Sequence, residues 1–175
     1  MKVSCAYDVL HSPIGPLLAA ATPLGLAWLQ YLRPGRDGLP ELAERLGALP
    51  ERKPPVLKEV RAQLREYFAG RRRSFDLPLD WSLSPGGFVG QALKITATIP
   101  WGETLTYGEV AAEAGSPGAA RAVGNAMRAN VMAIVVPCHR VVAAGGRIGG
   151  YMGGEANGLS IKRHLLDLEG CAYRP

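Results

Sequence analysis

The sequence lacks the features of a membrane protein and of a disulfide-rich secreted protein. No apolar run approaches the roughly 18 residues that predict a membrane-spanning helix, and Met1-Lys2-Val3 does not begin a signal peptide. Cysteines are few: Cys5, Cys138 and Cys171 are far apart and odd in number, which argues against a disulfide framework. We therefore expect a cytoplasmic protein with reduced thiols and no membrane association.

Acidic residues are also missing from one long segment. Residues 114–154 contain no Asp or Glu. The arginines of that segment are Arg121, Arg128, Arg140 and Arg147. The whole chain has a formal net charge of +5 and a pI near 9.3, and a local excess of positive charge favours a polyanionic partner. The alternative is a Gly- and Ala-rich segment that lacks acids by chance.

The 175 residues, 47% of them hydrophobic, suffice for two small domains. A linker at 82–87, rich in Ser, Pro and Gly, predicts domains of residues 1–82 and 83–175. The first reads as an α/β domain, a mixed sheet with helix cover. Its predicted elements are strands at 5–10, 17–21 and 25–32, a hairpin turn at 11–15, a loop at 34–38, and helices at 39–49 and 56–68. Arg71–Arg73 follow the second helix, where arginines serve either the helix dipole and solvent or a phosphate.

The second domain is predicted to be mostly helical and winged-helix-like, with a helix-turn-helix. A first helix spans 88–99. Thr106 and Glu109 have the spacing of a capping box and open a second helix, and Gly115 ends it. Ser116-Pro117 predicts the start of a third helix that continues to Arg128.

This third helix has a polar stripe among small residues. Arg121, Asn125 and Arg128 follow the i, i+4, i+7 spacing of one helix face, and Val123 and Met127 share another. Small residues between the polar ones would let the helix approach a narrow surface such as DNA. The alternative is that they pack against a neighbouring helix.

Cys138 follows an apolar run, 131–136, which predicts a buried strand or extended segment. A lone buried cysteine is usually a small hydrophobic residue. Here His139 is its neighbour, and a base beside a thiol favours the thiolate that acts as nucleophile. A third group should orient the histidine, and Glu169, near a helix end, is the best candidate.

The segment Pro137-Cys138-His139-Arg140-Val141 resembles the active-site signature of the O6-alkylguanine-DNA alkyltransferases, which repair DNA by direct reversal. The resemblance covers nearly all of residues 88–170 and, more loosely, segments 11–15 and 66–70. Its other matching segments are Ile99–Thr104, Thr106–Ala111, Pro117–Gly124, Asn130, Gly149–Tyr151 and Lys162–Leu166.

The resemblance implies a chemistry and a substrate. Cys138 would accept the alkyl group in one irreversible transfer, which makes the protein a suicide methyltransferase without a cofactor. His139 would act through a water as the base, and Glu169 would hold its tautomer. The partner would be double-stranded DNA carrying O6-alkylguanine, flipped out of the helix, with a monomeric protein. Activity on O4-alkylthymine is left open.

The resemblance also implies DNA-contacting and pocket residues. The helix with Arg121 would enter the minor groove, and that arginine would fill the gap left in the base stack. Tyr107 would crowd the 3′ phosphate, drive rotation of the nucleotide and protonate the departing base. Asn130 would be a hinge that ties the helix to the active-site turn. The remaining members are Ala120, Asn125 and Arg128 on the DNA, and Met127, Val141, Tyr151 and Met152 around the base. The alternatives without a specific function are packing in the core for Tyr107 and Tyr151 and an ordinary phosphate contact for Arg121.

The sequence also differs from the family pattern, and one competing hypothesis is left open. Some members bind zinc in the N-terminal domain; here Ala21 and Ala27 stand where ligands would be expected, so we expect no metal. The segment Met152–Leu159 makes the loop beside the pocket longer than usual. The competing hypothesis is a DNA-lesion-binding module or regulator without chemistry, in which Cys138 is structural or senses oxidants.

Overall fold

The computed structural model describes residues 4–33, 38–154 and 157–175. They form two compact units. Unit 1 comprises the chain up to Ser84 together with Val131–Ala133, and unit 2 comprises Pro85–Asn130 and Ile134–Pro175. The prediction of one domain boundary placed Val131–Ala133 in the second domain, whereas these residues belong to unit 1. The predicted domain limits, 1–82 and 83–175, stay a prediction.

Unit 1 contains a mixed four-stranded sheet, as predicted. Its strands are β1 (Ala6–Leu10), β2 (Leu17–Thr22), β3 (Gly25–Tyr31) and β4 (Glu51–Arg52), in the order β3-β2-β1-β4. The first three are antiparallel neighbours, joined between β1 and β2 by the predicted hairpin turn, and β4 runs parallel to β1. Every residue of β2 is buried, because this strand lies inside the sheet. The segment Val131–Ala133 hydrogen-bonds to Leu29 of β3. The sequence did not predict β4, because two charged residues carry no apolar alternation.

Two helices belong to unit 1, α1 (Leu39–Leu46) and α2 (Lys58–Phe68). The first ends three residues earlier than predicted, because Gly47 caps it in the left-handed conformation, and Leu49 is exposed. The second begins two residues later than predicted, after a 3₁₀ turn at Pro54–Leu57, and Val56 is exposed. Of the predicted loop at 34–38, residues 34–37 lie outside the described residues.

Unit 2 is mostly helical. Its helices are α3 (Gly87–Thr96), α4 (Tyr107–Glu113), α5 (Ala120–Arg128) and α6 (Gly158–Glu169), and a short parallel pair joins β5 (Leu105–Thr106) to β6 (Val141–Val142). The predicted capping box at the start of α4 is present, with both the Thr106 and the Glu109 hydrogen bonds. The core between α3, α4 and α5 is built from Ala92, Ile99, Val110, Ala111, Val123, Ala126 and Val141. Among the described residues, no helix has the length and apolar character needed to cross a bilayer.

The predicted start of the third helix is wrong. Helix α5 begins at Ala120 rather than Pro117, without a side-chain cap, because Gly118 adopts φ +87° and a right-handed helix cannot pass through that conformation. The segment 131–136, whose residues 131–133 belong to unit 1, is buried as predicted, but it does not form a continuous strand. It turns at Ile134, a β-branched residue with φ +73°.

Candidate active site

Cys138 lies in a buried 3₁₀ turn, Cys138–Arg140. Its backbone N–H donates to the Val136 carbonyl at 2.8 Å, which fixes the turn at the end of the buried segment. The sulfur lies 3.9 Å from the Tyr151 hydroxyl. Burial raises the pKa of the Cys138 thiol, although Asn130, Tyr151 and Lys162 oppose the shift. The sulfur therefore has to lose its proton to a base before it can attack.

His139 and Glu169 form the buried pair that the sequence predicted. The His139 Nε2 atom lies 2.8 Å from Glu169 Oε1, and both side chains are fully buried. Burial lowers the pKa of His139, so its imidazole is neutral. Because the carboxylate only accepts hydrogen bonds, Nε2 carries the proton and Nδ1 carries the lone pair. No described residue hydrogen-bonds to that buried Nδ1 atom, which leaves it available as a base.

Arg140 holds the carboxylate of Glu169 from the other side. Its Nε donates to Oε2 at 2.7 Å and its Nη2 donates to Oε1 at 2.9 Å, while Nη1 donates to the Ile99 carbonyl at 2.5 Å. Hydrogen bonds from His139 and Arg140, together with the charge of Arg140, outweigh burial and lower the pKa of Glu169 to about 2. Glu169 is therefore a carboxylate at neutral pH, fixed by both partners.

A second cation, Lys162, is fully buried in this region. Its Nζ donates to the Val141 carbonyl at 2.7 Å and to the Gly150 carbonyl at 3.0 Å. It also lies 5.9 Å from the ring of Tyr107 and 6.0 Å from the ring of Tyr151. Burial lowers its pKa to about 8. Lys162 thus connects α6 to both tyrosines and, by its charge, favours the thiolate of Cys138.

Asn130 connects the end of α5 to the active-site turn. Its side-chain amide donates to the Val136 carbonyl at 2.8 Å, two residues before Cys138. The same side chain hydrogen-bonds to the thiol and opposes the rise in its pKa. Asn130 thus contacts the active-site turn, and its role as a hinge stays a prediction.

The predicted pocket residues have different surroundings. The Tyr107 hydroxyl donates to the Gly150 carbonyl at 3.4 Å, and burial, with charge on Cys138, raises the pKa of this tyrosine. Tyr151 is buried beside the thiol. Met127 packs against the core of unit 2, where its sulfur lies 3.5 Å from the Thr96 hydroxyl. Met152 is partly buried in a turn with φ +49°. In the longer loop, Glu155 and Ala156 lie outside the described residues.

The polar stripe of α5 faces away from the core. Arg121, Asn125 and Arg128 are exposed, whereas Val123 and Ala126 are buried on the opposite side. An added Cβ at Gly124 would meet no atom within 4 Å, so packing against another helix does not explain this glycine. The exposed side of α5 is thus a small-residue surface with a polar stripe, open to a partner.

Comparison with known proteins shows to which family the chain belongs. A family model described as 6-O-methylguanine DNA methyltransferase, DNA binding domain, matches residues 87–171. The model described as the ribonuclease-like domain of the same methyltransferase matches residues 5–81. The chain belongs to the O6-methylguanine DNA methyltransferase family. The family resemblance seen in the sequence is therefore confirmed, and so is the fold class, an N-terminal ribonuclease-like domain and a C-terminal DNA-binding domain.

Relatives in this methyltransferase family match nearly the whole chain. A methylated-DNA--protein-cysteine methyltransferase of Methanosarcina barkeri is 42% identical over 165 residues, with 93% of this chain and 96% of the relative covered. That of Mycobacterium tuberculosis is 42% identical over 163 residues, with 93% and 91% covered. The crystal structure of M. tuberculosis OGT in complex with DNA has a TM-score of 0.79 at 40% identity, with 94% and 92% covered.

Sequence reasoning missed two residues of this methyltransferase site. Arg140 and Lys162 were recognised as part of matching segments, without a role. A signal for Lys162 was present, since it shares one face of α6 with Leu165, Leu166 and Glu169 at the i, i+3, i+4, i+7 spacing. A lysine on a face that also carries two leucines is expected to be buried and therefore to need polar partners. No comparable signal pointed to Arg140, because its contact with Glu169 joins residues that are distant in sequence.

Proposed function

We propose that this protein repairs DNA by transferring an alkyl group from O6-alkylguanine to Cys138, once per molecule. The observation that carries the proposal is the buried His139–Glu169 pair, whose histidine directly follows Cys138 in the chain. The Nδ1 atom of this histidine has no hydrogen-bond partner among the described residues. A structural cysteine would need neither the histidine nor the buried carboxylate. Methyltransferase relatives of nearly full length support the same activity, and no observation favours the DNA-binding module without chemistry.

The reaction follows from the placement of the protons. His139 Nδ1 takes the thiol proton of Cys138 through a bridging water, and Glu169 stabilises the resulting imidazolium. The sulfur attacks the alkyl carbon, the carbon–O6 bond breaks, and its electron pair leaves on the guanine. Tyr107, whose raised pKa keeps its hydroxyl protonated, gives a proton to the departing base. The product is a thioether on Cys138, which nothing in this sequence of steps reverses.

The target atom is shielded in the duplex, so the nucleotide has to leave the stack. In this proposal, Arg121 fills the gap from the minor groove, Asn125, Arg128 and Ala120 lie along the backbone, and Tyr107 crowds the 3′ phosphate. Tyr151, Met127, Val141 and Met152 surround the flipped base. Support comes from the exposed polar stripe on α5 and from the DNA complex of the M. tuberculosis relative. We also propose that the protein acts as a monomer.

A stoichiometry tests the proposal. The protein is incubated with duplex DNA carrying O6-[methyl-³H]guanine, and label bound covalently to protein is counted. We expect about one methyl group per molecule, because the acceptor thiol is consumed. Tight lesion binding without label would identify a damage-recognition module and contradict the proposed chemistry.

Arg121→Ala separates base flipping from chemistry. We expect transfer from duplex DNA to slow by about tenfold or more, because filling the stack offsets part of the few kcal/mol that flipping costs. Transfer from free O6-methylguanine base should not change, since it needs no flipping. The measurement compares single-turnover rates on both substrates. Arg128→Ala is the matched control, since it removes one charge from the same face. Equal losses on both substrates would remove Arg121 from this role.

A further inference from the structure

Most of the net positive charge of the chain is concentrated in one segment of unit 1, which the proposed reaction does not use. Residues 51–76 contain eight Lys or Arg and four Asp or Glu, a net charge of +4 out of +5 for the whole chain. The segment includes α2 and the three arginines that follow it. Adjacent like charges repel each other unless a partner neutralises them.

The arginines are not needed to cap α2. The carbonyls of the last turn, from Arg65, Glu66 and Tyr67, accept hydrogen bonds from the backbone N–H groups of residues 69–72. The Arg72 side chain donates instead to Glu66 at 2.7 Å and to the Ser74 carbonyl at 3.1 Å. Backbone groups therefore end the helix, and the helix-dipole explanation does not account for Arg71 and Arg73.

Four cations around α2 are exposed without an ion pair. They are Lys58, Arg65, Arg71 and Arg73, here called the basic face. No described acidic residue pairs with them, whereas Arg45, Arg52 and Lys53 elsewhere in unit 1 pair with Glu41, Asp8 and Glu51. Between Lys58 and Arg65, the same side of α2 carries the small exposed Ala62 and the partly exposed Arg61, which pairs with Asp8. No acidic residue stands between Lys58 and Arg65 on this side of the helix.

We infer that the basic face is a second DNA-contacting surface, which binds backbone phosphates without regard to sequence or lesion. Exposed guanidinium groups form bidentate hydrogen bonds with phosphate oxygens and release counterions from DNA when they do so. This inference goes beyond the proposed alkyl transfer, on which it rests only in taking DNA as the polyanion. An acidic protein is the competing partner, and the test separates the two.

The test measures binding to an undamaged duplex by fluorescence anisotropy over a range of salt concentrations. R71A/R73A should weaken binding at low salt by about tenfold or more and reduce the slope of log K against log salt by about two, one for each lost phosphate contact. R45A/K53A is the matched control: it removes two positive charges from unit 1 at residues that are already paired, and its slope should stay close to that of the unmodified protein. R71K/R73K should restore most of the binding.

Several results would overturn the inference. Unchanged duplex binding in R71A/R73A would remove the basic face from DNA contact, and a simultaneous loss of binding to a polyglutamate peptide would assign it to an acidic protein. If the salt slopes of R71A/R73A and R45A/K53A were equal, the weaker binding would come from the lower net charge of the protein and not from phosphate contacts of the basic face. Transfer from free O6-methylguanine base should be the same in all variants. If the unmodified protein does not transfer the methyl group from the free base, the proposed function is contradicted. The salt slopes would still test the basic face, because they measure binding and not transfer.

Discussion

Cys138→Ala is expected to abolish covalent transfer from O6-methylguanine DNA while it preserves binding to the lesion-bearing duplex. The substitution removes the sulfur that lies 3.9 Å from the Tyr151 hydroxyl and directly precedes His139 in the chain. The surfaces proposed to contact DNA, on α5 and α2, keep all their side chains. A complete loss of label with retained binding would separate recognition from chemistry.

The other two thiols provide the control. Burial raises the pKa of Cys5 to about 11 and that of Cys171 to about 12. Burial also raises the pKa of Cys138, but only Cys138 is followed by a histidine that can act as its base; Cys5 and Cys171 are each followed by alanine. Cys5→Ala is the cleaner variant, because Cys171 lies 3.8 Å from Glu169. Intact-protein mass spectrometry after incubation with the substrate should show one added methyl group in Cys5→Ala and none in Cys138→Ala. A modified Cys138→Ala protein would overturn the nucleophile assignment.

Glu169→Gln is expected to slow transfer by about 10²- to 10⁴-fold, the range that a positioned acid or base contributes. The amide keeps the size of the side chain but removes the charge that stabilises the imidazolium of His139. It also presents an N–H group that can turn the ring to the wrong tautomer. Asp167→Asn is the control, because the Asp167 side chain is exposed and accepts a hydrogen bond from Tyr173, away from His139. A slow Asp167→Asn protein with a normal Glu169→Gln rate would show that the orienting acid is Asp167.

The same substitution should change stability in a pH-dependent way. The pKa of Glu169 is lowered from 4.5 to about 2 in the folded protein, a shift that corresponds to about 3 kcal/mol of stability. A lowered carboxyl pKa stabilises the fold above the unfolded value, and this contribution is lost as the pH falls from about 4.5 towards 2. Denaturant unfolding should therefore show Glu169→Gln to be less stable than the unmodified protein at pH 7, with a difference that shrinks over that window. A constant difference would mean that packing, and not charge, causes the loss.

Many elements of the fold could be predicted from the sequence because each is specified by residues that are close together in the chain. The capping box at Thr106 and Glu109 and the turn between β1 and β2 each depend on residues within a few positions of one another. The same local reasoning failed at α5, where Ser116-Pro117 resembled a helix start and the backbone of Gly118 delayed it. For the apolar run 131–136 the sequence left a strand or an extended segment open, and the positive φ of Ile134 excludes a continuous strand.

The sequence by itself determined the family, the nucleophile candidate and its neighbouring base, because the motif around Cys138 places these residues side by side in the chain. Only the tertiary structure decided which groups complete the site. Glu169 reaches His139 across 30 positions, Arg140 fixes that carboxylate, and Lys162 reaches the Val141 and Gly150 carbonyls from α6. A buried charge has to be neutralised or hydrogen-bonded wherever the fold brings a partner near it. That requirement acts in space, so neither sequence spacing nor composition can specify its solution.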